Sequence, residues 1–400
     1  MNHLHCGFYV YDDKRFFTRE DAFDYALIRQ DYDVKLKYYY NNDVFEKCDW
    51  MAEPDFDIGL LYKIRAQQIR DKYKYVVLAF SGGSDSTQVL WSFLKNNIFI
   101  DEIQVANLHK MTKNLDRADM LRDNEFQILL EYELAALPML KKVLELSPKT
   151  KITIVDASDL LHDQLSTGKY TIIGNNGRIK HQYPRISSSM GPNNQWWQLF
   201  YTTNYERSKD KNSMCIVRGM EKPALHIKNN SLFFHFTDQT MVTTASLNLR
   251  EFAATYTTED FFWSRDMPLI PIKQSHIIKK RLETDRKYYE FFTQSREELK
   301  NHNSVKPIHS SAIMLERSFS SMIYPDWNPQ TYAGPKPTIK NPEFKLYETV
   351  VGTHTTEGFL KEYRESKEKR FEKINKKYQF YSMLRSQPYL IGKLELNHAS

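Results

Sequence analysis

Only three cysteines, Cys6, Cys48 and Cys215, occur in 400 residues, and they lie far apart. A disulfide scaffold is thereby excluded, and without a Cys-x-x-Cys pair so are the commonest zinc and redox arrangements. No run approaches the roughly 20 apolar residues that a membrane-spanning helix needs. The stretch Met1 to Cys6 has neither a basic start nor an apolar run, so it does not read as a secretory leader. The expectation is a cytoplasmic protein with no membrane partner. Two familiar phosphate loops are also missing. There is no G-x-x-x-x-G-K-[ST] and no G-x-G-x-x-G, and Gly168-Lys169 follows Ser166-Thr167 without the earlier glycine.

What is present suits a globular chain. Hydrophobic residues make up 41% and charged residues 26%, which is ordinary for a folded domain with a sizeable core. The net charge of +6 permits an anionic partner without requiring one. Aromatics reach 14%, and we read them as core and rim rather than as a surface for stacking bases. Phe8 to Val10 and Arg15 to Phe17 suggest a hairpin around a polar turn at Asp12-Asp13. A helix follows through Gln30, then a strand over Val34 to Tyr40 that turns at Asn41-Asn42 toward Val44-Phe45. Residues 1–56 thus form a small α+β lead-in.

From Asp57 to Lys72 the pattern is helical. Tyr73 to Phe80 is then dense in β-branched and aromatic residues, as a strand buried on both faces requires. Further strands are expected at Glu102 to Leu108, Lys151 to Ala157 and Ser213 to Arg218. Helices are expected at Thr87 to Asn97 and at Phe126 to Leu146, where Pro138 would kink the chain. Strands alternating with helices predict an α/β fold: an open, mostly parallel sheet with helices on both faces over residues 57–283. Residues 284–400 read as a mainly helical, then irregular, extension. It includes five prolines between Pro325 and Pro342, a charged helix over Thr355 to Leu384 and a candidate strand over Pro388 to Leu396.

The chemistry concentrates at Ser81-Gly82-Gly83-Ser84-Asp85-Ser86, between the buried strand and a helix start. Gly82 and Gly83 allow positive φ and bring bare N–H groups against an anion. The helix that follows points its positive end at the same place. Ser81, Ser84, Ser86 and Thr87 add small hydroxyls. Asp85 would repel a naked phosphate, so its presence implies a bridging cation, most simply Mg²⁺. In an open sheet a ligand binds beyond the carboxyl ends of the strands, where this loop lies. The plain alternative is a tight glycine turn with no ligand.

Strand, Ser-Gly-Gly-x-Asp-Ser, helix resembles the signature of the PP-loop, or N-type, ATP pyrophosphatases, the adenine nucleotide α-hydrolase-like superfamily. The wider run Leu78 to Thr87 is similar to phage-encoded members of that superfamily, and the resemblance spans about Lys72 to Pro223. It implies that Ser81, Gly82, Gly83, Asp85 and Ser86 hold the pyrophosphate half of ATP. It places adenine near Ala106, Asn107 and Leu108. It also implies attack on the α-phosphate, with release of pyrophosphate and an acyl- or imidoyl-adenylate. A basic motif often completes such sites; Ile216 to Pro223 stands in that place, with Arg218 and Lys222 as phosphate contacts.

Thiolating and sulfonucleotide-reducing members rely on reactive cysteines. Cys215 sits inside an apolar strand with no cysteine after it, so a buried structural thiol is expected. Cys6, followed by Gly7-Phe8, only faintly echoes an amidotransferase start. The expected reaction is an AMP-forming ligation of a carboxylate or carbonyl to a nitrogen nucleophile, on a small molecule or a nucleobase. The alternatives are a nucleotide-binding module without turnover and a nucleic-acid-modifying enzyme. The last is suggested by eight basic residues against four glutamates between Lys361 and Lys377, although an ion-paired solvated helix explains them as well. Thr257 to Asp266 joins carboxylates, aromatics and an arginine. It runs toward Lys273, His276 and Lys280 on one helix face, which would line a cleft or be a solvated basic face. His3, His5 and Cys6 form a conceivable metal cluster, with a mobile terminus as the simpler reading.

Overall fold

The computed structural model describes residues 7–16, 19–107, 109–112, 132–156, 158–159, 169–173, 179–184, 204, 213–219, 222–238, 258–290, 292–293, 319–325 and 384–396. The charged helix expected up to Leu384, with its basic segment 361–377, lies outside these residues apart from Leu384 itself. So does the His3–His5–Cys6 group.

The central element is a five-stranded, all-parallel sheet. Its strands are β4 (Tyr75–Ala79), β5 (Glu102–Asn107), β6 (Lys151–Asp156), β9 (Met214–Arg218) and β12 (Thr258–Asp260), in the order β12-β9-β4-β5-β6. The chain runs from β4 outward through β5 to β6, then crosses to the other side of β4 for β9 and β12. The direction of strand progression therefore reverses between β4 and β9. Val76, Val77 and Leu78 are fully buried, as a strand covered on both faces should be.

Helices α3 (Ile58–Lys72), α4 (Ser84–Leu94), α6 (Leu137–Leu146) and α7 (Leu269–Thr284) share one core with Val76, Leu78, Ile103, Val105, Cys215 and Val217. The opposite face presents Val77, Ala79, Ala106, Met214 and Ile216. There Gln104 and Asn204 exchange a buried reciprocal amide pair, at 3.0 and 2.7 Å. The α/β class is thus present; among the described residues, helices cover the first of these faces. Asp57 caps α3 by accepting from Gly59 N at 2.7 Å.

The expected hairpin forms between β1 (Phe8–Tyr11) and β2 (Lys14–Phe16). Asp12 and Asp13 take φ of 50° and 57°, the left-handed pair that matches strand twist. α1 covers Arg19–Ile28, and β3 (Lys37–Tyr39) pairs back onto β1. The expected strand over 34–40 is β3 alone, and the chain turns after it as Asn41-Asn42 suggested, toward Val44 and Phe45. They close a short helix, α2 (Asn42–Phe45), because Asn41 in the left-handed region (φ 47°) redirects the chain. The lead-in is not isolated either. Phe45 meets Phe236 with ring centroids 4.4 Å apart, and Trp50 stacks on Tyr389 at 4.6 Å. Aromatic content is spent on this core.

Two antiparallel units complete the fold. β7 (Lys169–Ile173) pairs with β8 (Ile179–Pro184), and β10 (Ala224–Lys228), β11 (Ser231–His235) and β13 (Tyr389–Lys393) form a small sheet in that order. The expected C-terminal strand is β13, which pairs with β11. The expected helix over 126–146 is described from Tyr132. Its first turn, Tyr132–Ala136, is a π-helix, and the α-helix takes over just before Pro138. The short helices α5 (His109–Thr112) and α8 (Phe319–Ile323) occur elsewhere. Among the described residues no helix is long and apolar enough to cross a membrane.

Candidate functional site

The glycine loop leaves the carboxyl end of β4 and enters α4 at Ser84, at the reversal between β4 and β9. This is where an open parallel sheet leaves a crevice. Gly82 has φ of +80°, and a Cβ there would lie 2.5 Å from Ala136 N and 2.6 Å from Ala135 C. Glycine is therefore required twice over, by conformation and by the π-turn pressed against it. Gly83 caps the helix with ordinary φ and ψ, and Thr87 N donates to its carbonyl at 3.0 Å. The first N–H groups of α4 have no acceptor within the helix, as at any helix start.

The hydroxyls tighten the turn. Ser81 Oγ accepts from Gly83 N at 3.2 Å and lies 3.3 Å from Ser86 Oγ, which donates to Gly83 O at 3.1 Å. Thr87 Oγ1 donates to Gly82 O at 3.3 Å. Ser84, Ser86 and Thr87 are buried, whereas Ser81 is half-buried. The loop is thus a built, internally bonded turn whose helix tip faces the reversal.

Asp85 is the charged centre. Its Oδ1 accepts from Tyr324 Oη at 2.6 Å and from Ser84 Oγ at 3.1 Å, and it is paired with Lys222 Nζ. The Asp85 and Lys222 side chains are 25% and 26% exposed, so a dissolved ligand can reach both. The turn after β9 touches the loop directly. A Cβ on Gly219 would lie 2.8 Å from both Asp85 C and Ser86 N. Of the expected phosphate contacts, Lys222 is therefore brought to Asp85.

Arg218 is placed differently. Its side chain is 2% exposed, and Nε and Nη2 reach Asp260 Oδ1 at 2.9 and 2.7 Å. Burial pushes the Asp260 carboxyl up, and the Arg218 guanidinium pulls against it. Arg218 thus anchors the end of β9 to β12, whose register pairs the same two residues. At the edge where adenine was expected, Ala79 pairs with Gln104, which sets Ala106 and Asn107 level with the glycine loop. Ala106 is buried and Asn107 half-buried, whereas Leu108 lies outside the described residues.

Several acidic and basic residues of 258–281 meet protein partners. Glu259 accepts from Arg65 Nη2 at 2.6 Å, Tyr73 Oη at 2.6 Å and Lys72 Nζ at 2.9 Å. Burial alone would raise its carboxyl, but Arg65, Lys72 and Tyr73 together hold it down at about 2. Lys273 Nζ bonds Glu53 Oε1 at 2.6 Å and Pro54 O at 2.9 Å. His276 Nε2 lies 3.1 Å from Trp50 O, and burial holds its imidazole below the ordinary value. These two residues tie α7 to the lead-in. Cys215 is buried inside its apolar strand, as expected, and desolvation pushes its thiol well up.

Sequence reading missed Tyr324 and Ser320. Ser320 Oγ lies 3.4 Å from Ser84 Oγ, so α8 and the residue after it close over the front of the loop. Among the described residues, no group of three or more His, Cys, Asp or Glu side chains is placed to hold a metal ion. Asp85 with the loop hydroxyls is instead a single-carboxylate donor set. That suits Mg²⁺, which keeps its waters and takes its other ligands from phosphate. No protein-family model matches the chain, and no curated protein sequence matches it.

Proposed function

We propose that this chain binds Mg²⁺-ATP on Ser81–Thr87 and transfers AMP to a carboxylate or carbonyl oxygen of a second substrate, releasing pyrophosphate. A nitrogen nucleophile then displaces AMP. The observation that carries this reading is the meeting of Asp85 and Lys222 over the tip of α4, at the reversal of strand order. A helix start, a lysine and a carboxylate supply complementary charge for a polyphosphate and its cation.

Asp85, with Ser81, Ser84 and Ser86 beside it, would hold the cation, which supplies charge neutralisation on the phosphates when bound. The α4 N–H groups would orient the pyrophosphate, and Lys222 would turn from Asp85 toward the phosphates as they arrive. Arg218, locked to Asp260, keeps the end of β9 in register so that Gly219 stays against the loop. Rate enhancement would come from positioning and charge stabilisation, and no side chain needs to act as a general base.

The test is pyrophosphate release from ATP in Mg²⁺ across a panel of carboxylate and carbonyl substrates. Asp85→Ala should abolish it; wild-type turnover in that variant would remove the assignment. A second reading, nucleotide binding without turnover, is favoured by one feature: Asp85 is already satisfied by side chains of its own chain. Bound ATP that stays intact through long incubation with every substrate decides for it.

A further inference from the structure

Three donors converge on one oxygen of Asp85: Lys222, Ser84 and Tyr324. Lys222 and Ser84 lie beyond the carboxyl ends of β9 and β4, on either side of the reversal of the sheet. Tyr324 comes from far along the chain, and its placement is over-determined. Its ring stacks on Phe262 with centroids 5.6 Å apart. The carbonyl of the preceding residue, Ile323, accepts from Tyr62 Oη at 2.8 Å, and Tyr62 Oη accepts in turn from Gln274 Nε2 at 2.9 Å. Tyr62, Gln274, Ile323 and Tyr324 are all buried, so the relay is shielded from water. A relay from α3 and α7 thus holds the backbone beside a phenol that reaches the carboxylate.

We propose that Tyr324 is a positioning residue for the nucleotide site. Its hydroxyl sets the rotamer of Asp85 and hence where the loop presents a carboxylate oxygen to the cation of Mg²⁺-ATP. This rests on the nucleotide reading above. A hydroxyl–carboxylate bond of 2.6 Å is a charge-assisted contact. A carboxylate oxygen accepts about two strong bonds, so three donors on Oδ1 compete. When Lys222 swings toward phosphate, Tyr324 stays, because stacking and backbone hold it. Asp85 then keeps its orientation as the cation arrives. The site is accordingly built from 81–87, from Gly219 and Lys222 after β9, and from 319–324, and the last is not part of the α/β sheet.

The experiment is calorimetric titration of ATP into the full-length chain over a series of Mg²⁺ concentrations, for wild type and Tyr324→Phe. The substitution removes one oxygen and keeps the ring against Phe262. The Mg²⁺ concentration giving half-maximal ATP affinity should rise about tenfold, while metal-free binding changes less than about twofold. A ring that served packing alone would leave the Mg²⁺ dependence unmoved. Wild-type binding with an unshifted Mg²⁺ curve in Tyr324→Phe overturns this proposal and spares the nucleotide reading. Absence of ATP binding by the wild type ends both. Tyr62→Phe supplies a second arm, shifting the same curve in the same direction by a smaller factor; no shift there refutes the relay from Tyr62.

Discussion

Asp85 in the first turn of α4 and Lys222 just past the end of β9 form an ion pair across the point where the sheet changes direction. Neither charge lies within a strand of the sheet. Both are partly exposed, and an exposed pair contributes at most about 1 kcal/mol to stability. Their placement fits the proposed nucleotide site.

Lys222→Ala should therefore weaken Mg²⁺-ATP binding by about tenfold and shift the thermal midpoint by less than about 2 °C. Calorimetry and a melting curve on the same preparation check both numbers. A large loss of stability with unchanged binding would show the lysine to be structural.

The two glycines of the loop should respond differently. Gly82→Ala meets the π-turn backbone at 2.5 Å and a φ of +80°, so it should cost at least about 3 kcal/mol. Gly83→Ala has ordinary dihedrals, and its new methyl would lie 3.2 Å from the Ser81 hydroxyl, which can give. Its cost should stay under about 1 kcal/mol. Urea midpoints of the two variants give the comparison.

Acid should loosen the β12 edge. The folded Glu259 carboxyl sits at about 2 against an ordinary 4.5, so its stabilisation is complete above the ordinary value. It is lost as pH falls through 4.5 toward 2. Glu259→Gln strands the buried Arg65 charge and should cost about 3–5 kcal/mol at neutral pH. Its stability should also fall less steeply than the wild type's between about pH 5 and pH 2. Parallel slopes for the two proteins in acid would contradict the assignment.

Cys215 should resist alkylation in the folded protein and react only on unfolding, since burial disfavours its thiolate. Cys215→Ala should retain pyrophosphate release within about twofold. Loss of turnover without loss of stability would reopen sulfur chemistry.

Much of the site was legible because its signals are local. A buried β run, two glycines and a helix start occupy a dozen consecutive residues, and both the loop and its place at a strand end follow from them. What sequence conceals is pairing between distant segments. Arg218 reads as a phosphate contact through the resemblance of Ile216 to Pro223 to a basic motif; only the parallel register of β9 with β12 reveals Asp260 beside it. Lys273 and His276 share a helix face that looks suited to a cleft, but the lead-in fills that space with Glu53 and Trp50. Tyr324 carries no signal at all, standing at the head of a proline-rich stretch in which no period or motif singles it out.

The closeness of Gly219 to the Asp85–Ser86 backbone has a mechanical consequence. With no side chain between them, the two main-chain segments abut like bricks laid without mortar, and neither can slide without pushing the other. Room for an incoming guest must then come from rotating the Lys222 arm or lifting α8. Any methyl inserted at 219 would act as a shim, wedging the walls apart.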